Sequence, residues 1–339
     1  MEATKDQLNI LMAMKRIGGP AGAARLGACM RGWGVELKER SLRFHLRRLD
    51  GAGLTELVGR RAGRALTARG QVALARGGGG QRPAFAAARI EAASCQMGFD
   101  LRSCSGGVAC DAAFVPARLE AAALDVVRPV LAARLGMGSR ILLLRKGERL
   151  DEDGGEKVQA GQIALATVGA ATLQGIMLRE GIPCALRCGG LLEYRNRLPT
   201  RFVELIGLGG VTQDPAELFI RAKMTSVLRC ERTGNGLAVA SFLDFPSAAL
   251  AAVREIRERL GLLGLDGILS VGEPGGALFG IAVGEGRTGM AVFGGLNPAA
   301  ALAEAGMLDG CRCIAGLIEY RRFPEYRHLN MCVRRGRAE

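Results

Sequence analysis

Residues 36–50, with the sequence ELKERSLRFHLRRLD, decide the architecture of the N-terminal part of this chain. At about 100° per residue along a helix, Leu42, Leu46 and Leu49 share one face. The opposite face and its flanks hold the residues Arg40, Arg43, Phe44, Arg47 and Arg48. The stretch therefore predicts a helix that buries an apolar stripe and exposes a cationic surface.

The segments on either side of this helix predict a winged helix-turn-helix. Helices are expected over residues 5–17 and 20–31, because their apolar side chains recur near helical spacing. After the basic helix, a short strand over 54–58 and a return strand over 65–67 enclose a tip rich in Gly and Arg, which is typical of a β-hairpin. Helix, helix, basic helix and basic hairpin is the order of elements in a winged helix.

The basic helix and the basic hairpin together favour binding to double-stranded DNA. A helix fits the major groove and presents Arg side chains to guanine edges, while a narrow hairpin follows phosphates or enters the minor groove. The alternative is that the charged helix face is only solvated. The residues predicted to contact DNA are Arg40, Arg43, Phe44, Arg47, Arg48, Arg60, Arg61 and Arg64.

The net charge of +13 belongs mostly to this end of the chain. Residues 1–83 hold 16 Lys and Arg against 6 Asp and Glu, whereas the rest of the chain holds 30 against 27. We expect a DNA-binding domain over 1–76, a Gly-rich linker over 77–83, a larger domain over 84–330 and a basic tail over 331–339. The linker contains consecutive glycines and ends in Pro, a composition that supports neither helix nor strand.

The larger domain contains an internal repeat, in which residues 97–195 match residues 224–321. The clearest match is GLLEYR at 190–195 with GLIEYR at 316–321. Each copy predicts the order strand, strand, helix, strand, strand, short helix, strand, and the second copy starts with a strand over 225–232. This order implies an α+β fold with mixed or antiparallel sheets, and two copies about a pseudo-twofold axis would leave a cleft for a ligand.

Two Gly-rich turns in this domain lead into predicted helices. In the first, Gly209 and Gly210 precede Asp214, which is expected to cap a helix. In the second, Gly294 and Gly295 precede Asn297, which is expected to cap the helix that follows it. Exposed amides at such helix starts favour a small anion such as a carboxylate or a phosphate. Turns of this composition also occur for purely structural reasons.

No catalytic or metal-binding pattern stands out in the sequence. The two histidines, His45 and His328, are far apart and have no nucleophile motif beside them. The Gly-rich signatures of dinucleotide-binding and P-loop proteins are missing, and the ten cysteines lack zinc-ligand spacings. We therefore predict a non-enzymatic protein without cofactor or metal. An enzyme acting on a small carboxylate or nucleotide, fused to a DNA-binding module, is the alternative.

The location of the protein is predicted from its apolar segments. No stretch approaches the roughly 18 uninterrupted apolar residues that a membrane-spanning helix needs. The first residues, MEATKD, contain acidic side chains before any apolar run, unlike a secretory signal. We expect a cytoplasmic protein with reduced cysteines and no membrane partner.

The ordered motifs of both parts resemble the NrpR family of nitrogen-regulation repressors. The N-terminal match runs through the basic helix and the residues that follow it. The C-terminal match consists of GIP at 181–183, GGLLE at 189–193, RFVELI at 201–206, MTSV at 224–227 and GGLNP at 294–298. Together these motifs cover nearly the whole chain, which makes the ordered set more specific than any one of them.

The resemblance implies a homodimeric transcriptional repressor of nitrogen-metabolism genes, which binds a palindromic operator and whose larger, regulatory domain senses 2-oxoglutarate. Family members often carry two regulatory domains, whereas this chain has one. Residues 240–244, ASFLD, end in Leu-Asp where the family tends to have Arg-Glu, so a cation that could pair with a dicarboxylate is missing. A constitutive DNA binder whose larger domain only dimerises is a further alternative. The candidate effector residues are Gly209, Gly210, Thr212, Thr225, Ser226, Gly294, Gly295 and Asn297.

Overall fold

The structure is a computed structural model that describes residues 5–59, 62–77, 85–151 and 157–329. Its two compact units are Met1–Ala84 and Phe85–Glu339, and each unit has a hydrophobic core of its own. The predicted tail over 331–339 and all but the first residue of the predicted linker lie outside the described residues.

The first unit is a winged helix, as predicted. Its elements are α1 (Lys5–Ile17), α2 (Ala23–Arg31), α3 (Glu39–Gly51), β1 (Thr55–Gly59), β2 (Gly63–Leu66) and α4 (Ala68–Gly77). Strands β1 and β2 pair antiparallel and form the wing. Leu42, Leu46 and Leu49 of α3 are buried in one cluster with side chains of α1 and α2. The apolar stripe of the sequence is therefore the core-facing side of α3.

The wing approaches the turn between α1 and α2 closely, and a glycine makes this possible. Gly63 has a φ of +91°, and a Cβ atom there would lie 2.3 Å from the carbonyl carbon of Ala21. The backbones of Ala21 and Arg64 exchange two hydrogen bonds, of 2.9 and 3.0 Å. Ala21 thus pairs with the start of β2, next to the turn of the wing.

The second unit is built from strands and helices in one α+β fold, as predicted. In chain order they are α5 (Ala86–Gln96), β3 (Gly107–Pro116), α6 (Glu120–Ala132), β4 (Ile141–Leu144), β5 (Gln162–Val168), α7 (Ala170–Arg179), β6 (Ala185–Arg195), β7 (Leu198–Gly207), α8 (Pro215–Arg221), α9 (Val227–Thr233), β8 (Gly236–Pro246), α10 (Leu250–Leu262), β9 (Ile268–Val271), β10 (Arg287–Val292), α11 (Asn297–Glu304) and β11 (Gly310–Glu319). A short 3-10 turn links β3 to α6, and another links β8 to α10.

The order of elements repeats once within this unit. Strand, helix, strand, strand, helix, strand is the order of β3, α6, β4, β5, α7 and β6, and it recurs in β8, α10, β9, β10, α11 and β11. The strand predicted over 225–232 is wrong, because this segment forms helix α9. Its buried residues Val227 and Cys230 are three positions apart, a spacing that fits a helix and not the alternation of a strand.

Each half of the repeat contributes its last strand to the sheet of the other half. One sheet has the order β11-β3-β5-β4 and the other has the order β7-β6-β8-β10-β9. Strand β6 of the first half pairs with β8, and β11 of the second half pairs with β3. All described strand pairs are antiparallel. Both main cores accordingly contain side chains of both halves, such as Met177 with Phe245 and Val127 with Phe293.

Candidate functional site

The outer face of α3 carries five of the predicted DNA contacts. Arg40, Arg43, Phe44, Arg47 and Arg48 are all exposed, because they lie away from the buried stripe of the same helix. Phe44 keeps 50% of its surface in solvent. Four guanidinium groups and one aromatic ring thus share a helix surface that a partner reaches directly.

The neighbours of these side chains leave the positive charge of the surface available. Arg43 pairs with Glu39 one turn earlier, and both side chains are more than half exposed. The guanidinium of Arg48 lies over the ring of Phe44, 5.8 Å from the ring centroid. Exposed pairs with i,i+4 spacing are worth about 0.3–0.5 kcal/mol. An anion that bound to Arg43 would therefore displace Glu39 with little loss of free energy.

Arg64 is the one predicted DNA contact of the wing that the structure describes, and its side chain has a partner within the same unit. Arg64 does not extend from the tip, because its Nε atom donates to a carboxylate oxygen of Asp50 over 2.7 Å. Thr55 donates to the other oxygen of Asp50 over 2.6 Å. Arg64 therefore ties the wing to the end of α3, and its contact with DNA stays a prediction. Arg60 and Arg61 lie outside the described residues.

The first Gly-rich turn of the second unit is open to solvent. Gly209, Gly210 and Thr212 follow β7 and are exposed. The turn ends where Asp214 caps α8, by accepting a hydrogen bond of 2.8 Å from the backbone N–H of Ala216. This predicted cap is confirmed. The turn is thus fixed at its helical end and accessible along its glycines.

Thr225 and Ser226 lie at the start of α9, where a carboxylate of the chain already binds. Glu304 accepts hydrogen bonds from Thr225 Oγ1 over 2.8 Å and from the backbone N–H groups of Val227 and Leu228 over 2.7 and 2.9 Å. The hydroxyl of Ser226 accepts a further backbone hydrogen bond. This helix start is an anion site that the protein fills itself. The sequence indicated no role for Glu304, which follows Thr225 by 79 positions.

Asn297 does not cap a helix, contrary to the prediction. Helix α11 begins at Asn297 itself and has no side-chain cap. The Asn297 side chain is buried, and it accepts from the N–H of Val239 over 2.8 Å and donates to the Val239 carbonyl over 2.9 Å. The reason lies in β8, since β10 pairs with this strand only as far as Ser241. The amide of Asn297 takes the place of a further strand residue beside Val239.

Gly294 and Asn297 line a small cavity together with Asp111, Asp214 and Cys313. The cavity has a volume of about 30 Å³, which holds only one or two water molecules. It lies where the two halves of the repeat meet, since Asp111 belongs to β3 and Asn297 to α11. None of the described residues that line it is cationic.

Burial raises the pKa values of the carboxyl groups around this cavity. The pKa of Asp111 rises to about 7, although the backbone N–H groups of Gly295 and Ile314 donate to its two oxygens. Burial also raises the pKa values of Asp214 and Glu217 above their usual range. A dicarboxylate that entered the cavity would meet acidic groups and no cation among the described lining residues. The cavity as it stands is therefore poorly suited to the expected effector.

The described cysteines are free thiols, and several of them are buried. Burial raises the pKa of Cys188 to about 11 and that of Cys311 to about 12, so both thiols are protonated and unreactive at neutral pH. Within the described part of the chain, no group of His, Cys, Asp and Glu side chains is arranged to hold a metal ion. None of the helices over 5–77 or 85–329, the masked positions apart, is long and apolar enough to cross a membrane.

The two units together define a class of protein. A winged helix with an exposed cationic helix, in one chain with an internally duplicated α+β unit, is the build of a transcriptional regulator. The family model of the NrpR regulatory domains NRD1 and 2 matches residues 84–325, and the chain therefore belongs to the NrpR family. Residues 8–74 match the model of the ribonuclease R winged-helix domain. The resemblance found in the sequence is confirmed.

Individual proteins are similar to the chain over different lengths. The global nitrogen regulator NrpRI of Methanosarcina mazei is 29% identical over 307 residues, which cover 90% of this chain and 93% of that protein. The global nitrogen regulator NrpR of Methanocaldococcus jannaschii is 28% identical over 212 residues, which cover 62% of this chain and 34% of that protein. The crystal structure of a nitrogen repressor-like protein from Methanococcus jannaschii shares the fold, with a TM-score of 0.59, 24% identity, and coverage of 71% of this chain and 98% of that one. The first two are named as global nitrogen regulators. This chain, with its winged helix and its NrpR regulatory domain, is a transcriptional regulator.

Proposed function

We propose that this chain is a cytoplasmic, DNA-binding repressor of nitrogen-metabolism genes. The observation that carries the proposal is the exposed cationic surface of α3 in a winged helix. Its arginines offer planar forks to guanine edges and to phosphates, so that phosphate contacts supply affinity and base contacts supply sequence preference. The names of the similar proteins, which include nitrogen regulators and a nitrogen repressor-like protein, support the class of genes and the repressing sense.

A homodimer on a palindromic operator is part of this proposal. Helix α3 is 13 residues long, and one such helix reads only a few base pairs with its N-terminal part. Two copies about a twofold axis would place two helices on half-sites about 34 Å apart, which is one turn of DNA. Residues 84–339 carry little net charge, which suits a unit that holds two copies together more than one that attracts phosphate.

The second unit is also the proposed sensor of a small anionic metabolite similar to 2-oxoglutarate. Among the candidate residues, the turn with Gly209, Gly210 and Thr212 supports this best, because it is exposed. In the other two groups, backbone amides already bind carboxylates of the chain, those of Asp111 and Glu304. A ligand that prefers one arrangement of the dimer shifts the population toward it and so changes the spacing of the two α3 helices.

Selection of bound genomic fragments tests the proposal. Full-length protein is mixed with fragmented genomic DNA near physiological salt, with and without 2-oxoglutarate. The variant Arg43→Ala/Arg47→Ala removes two charges from α3. The control variant Arg254→Ala/Arg257→Ala removes two exposed charges from α10 in the second unit. Both variants have the same net charge, so only the position of the lost cations differs.

We expect a palindromic site that the α3 variant loses and the α10 variant retains. Each lost base contact should weaken binding by about 1–3 kcal/mol, and lost phosphate contacts should reduce the dependence of affinity on salt. Unchanged affinity in the α3 variant would remove this helix from the proposal. A site that is indifferent to 2-oxoglutarate would keep the DNA-binding regulator and remove the effector.

A further inference from the structure

Phe44 occupies the outermost position of α3. The buried residues Leu42, Leu46 and Leu49 define the inner line of the helix. At about 100° per residue, Phe44 lies within about 15° of the line directly opposite to them, closer than any arginine of the same surface. The largest apolar side chain of the exposed surface therefore stands where a bound partner comes nearest, surrounded by cations.

The ring of Phe44 is held in place by its neighbours on the helix. The guanidinium of Arg48 lies 5.8 Å from the ring centroid. The ring of His45 packs edge-on against it, with the two centroids 5.5 Å apart, and the His45 side chain is itself mostly buried. A side chain that is already ordered loses little conformational freedom on binding. The Phe44 side chain is thus ordered before it contacts a partner.

The chemistry of a phenyl ring restricts what this contact can be. The ring has no hydrogen-bond donor for a phosphate or for the acceptors of guanine, which the neighbouring arginines supply. In the major groove, the apolar group on a base edge is the C5 methyl of thymine. We infer that Phe44 reads thymine and packs against the methyl group of one thymine in each half-site of the operator. The inference rests on the proposed binding of α3 in the major groove.

Replacement of thymine by deoxyuracil tests this contact, because it removes the methyl group and leaves the base pair intact. The operator from the genomic selection is resynthesised with deoxyuracil at one thymine at a time, both inside and outside the half-sites. Affinity is measured for the wild type, Phe44→Ala and Phe44→Leu. For the wild type we expect about a fourfold loss at one position in each half-site, the equivalent of about 0.8 kcal/mol for one buried methyl group.

The variants assign that loss to Phe44. Phe44→Ala should bind the thymine and deoxyuracil operators equally, Phe44→Leu should keep part of the difference, and thymines outside the half-sites should be neutral in all three proteins. Fluorescence of Trp33, the single tryptophan of the chain, checks that the first unit of each variant is folded.

Several results would overturn the inference. They are an operator without a thymine common to both half-sites, a wild type that is insensitive to every deoxyuracil, and a sensitivity that persists in Phe44→Ala. Each of them leaves operator binding by α3 in place. Failure of the proposed function appears differently, as unchanged operator affinity in Arg43→Ala/Arg47→Ala.

Discussion

Replacing Asn297 tests how its side chain completes the second unit. In Asn297→Ala, the N–H and carbonyl groups of Val239 lose partners that lie 2.8 and 2.9 Å away in the wild type. Val239 is only 6% exposed, so water has little access to these groups. Each buried polar group without a partner costs about 1–3 kcal/mol, and we expect the free energy of unfolding of this unit to fall by about 2–6 kcal/mol.

Asn297→Asp keeps the shape of the side chain, and it makes the loss of stability of the second unit depend on pH. One carboxyl oxygen still accepts from the Val239 N–H, but the other faces the Val239 carbonyl and needs a proton to donate to it. The folded state therefore raises the pKa of this group above its ordinary value of about 3.9. Below about pH 4 the group is protonated in both states, and the destabilisation grows as the pH rises from there.

Urea unfolding with two signals separates this effect from the first unit. Trp33 is the single tryptophan and belongs to the core of the winged helix, so its fluorescence reports on the first unit. Far-UV circular dichroism reports on both units. We expect the fluorescence midpoint to stay unchanged and the remaining dichroism transition to move to lower urea.

The matched control is Thr212→Ala, at an exposed residue of the same unit. It should change the free energy of unfolding by less than about 0.5 kcal/mol. A similarly small change in Asn297→Ala would refute the reasoning, because the groups of Val239 would then find other partners. A constant difference between Asn297→Asp and Asn297→Ala from about pH 4.5 to 8 would refute the proposed protonation.

Two further predictions concern Gly63 and Asp111. Gly63→Ala places a Cβ atom 2.3 Å from a backbone atom, at a residue with a φ of +91°. We therefore expect the free energy of unfolding of the first unit, monitored by Trp33 fluorescence, to fall by about 1–3 kcal/mol or more. Gly19→Ala, which has open space, is the control, and equal stability of the two variants would contradict the close approach of the wing. For Asp111, with a pKa raised from 3.8 to about 7, the folded state holds a proton that the unfolded state has released, and this stabilisation is lost as the pH rises through 7. In unfolding monitored by dichroism, the free energy of unfolding of the second unit should fall by up to about 4 kcal/mol between about pH 4 and 8. Asp111→Asn should make this free energy depend less on pH. A wild type that becomes more stable over this range would contradict the raised pKa.

The first unit was predictable because its signals are local. The helix predicted over 5–17 agrees with α1 at both ends, and the basic helix begins at Glu39, three residues after the start of the stretch that suggested it. Apolar spacing and Gly or Pro breaks act within a few residues. The contact of Arg64 with Asp50 was not predicted, because the two residues are 14 positions apart and only the folded wing brings them together.

The polar residues of the second unit were harder to predict. Asp111 is visible as an acid within the apolar run VACDAAFV at 108–115, which indicates a buried polar group but not its partners. Asn297 binds Val239 across 58 positions. Such contacts depend on where distant segments meet, and the spacing of side chains within one segment contains no information about that.

By itself, the sequence determined the α+β class, the internal repeat and the basic winged helix, because short-range periodicity, composition and charge specify each of them. Only the tertiary structure decided that β6 pairs with β8 and β11 with β3, so that each half completes the sheet of the other. Side chains alternate between the two faces of a strand in the same way, whichever strand lies beside it. The choice of partner depends on packing across the whole unit, a long-range property that the pattern of a single strand does not contain.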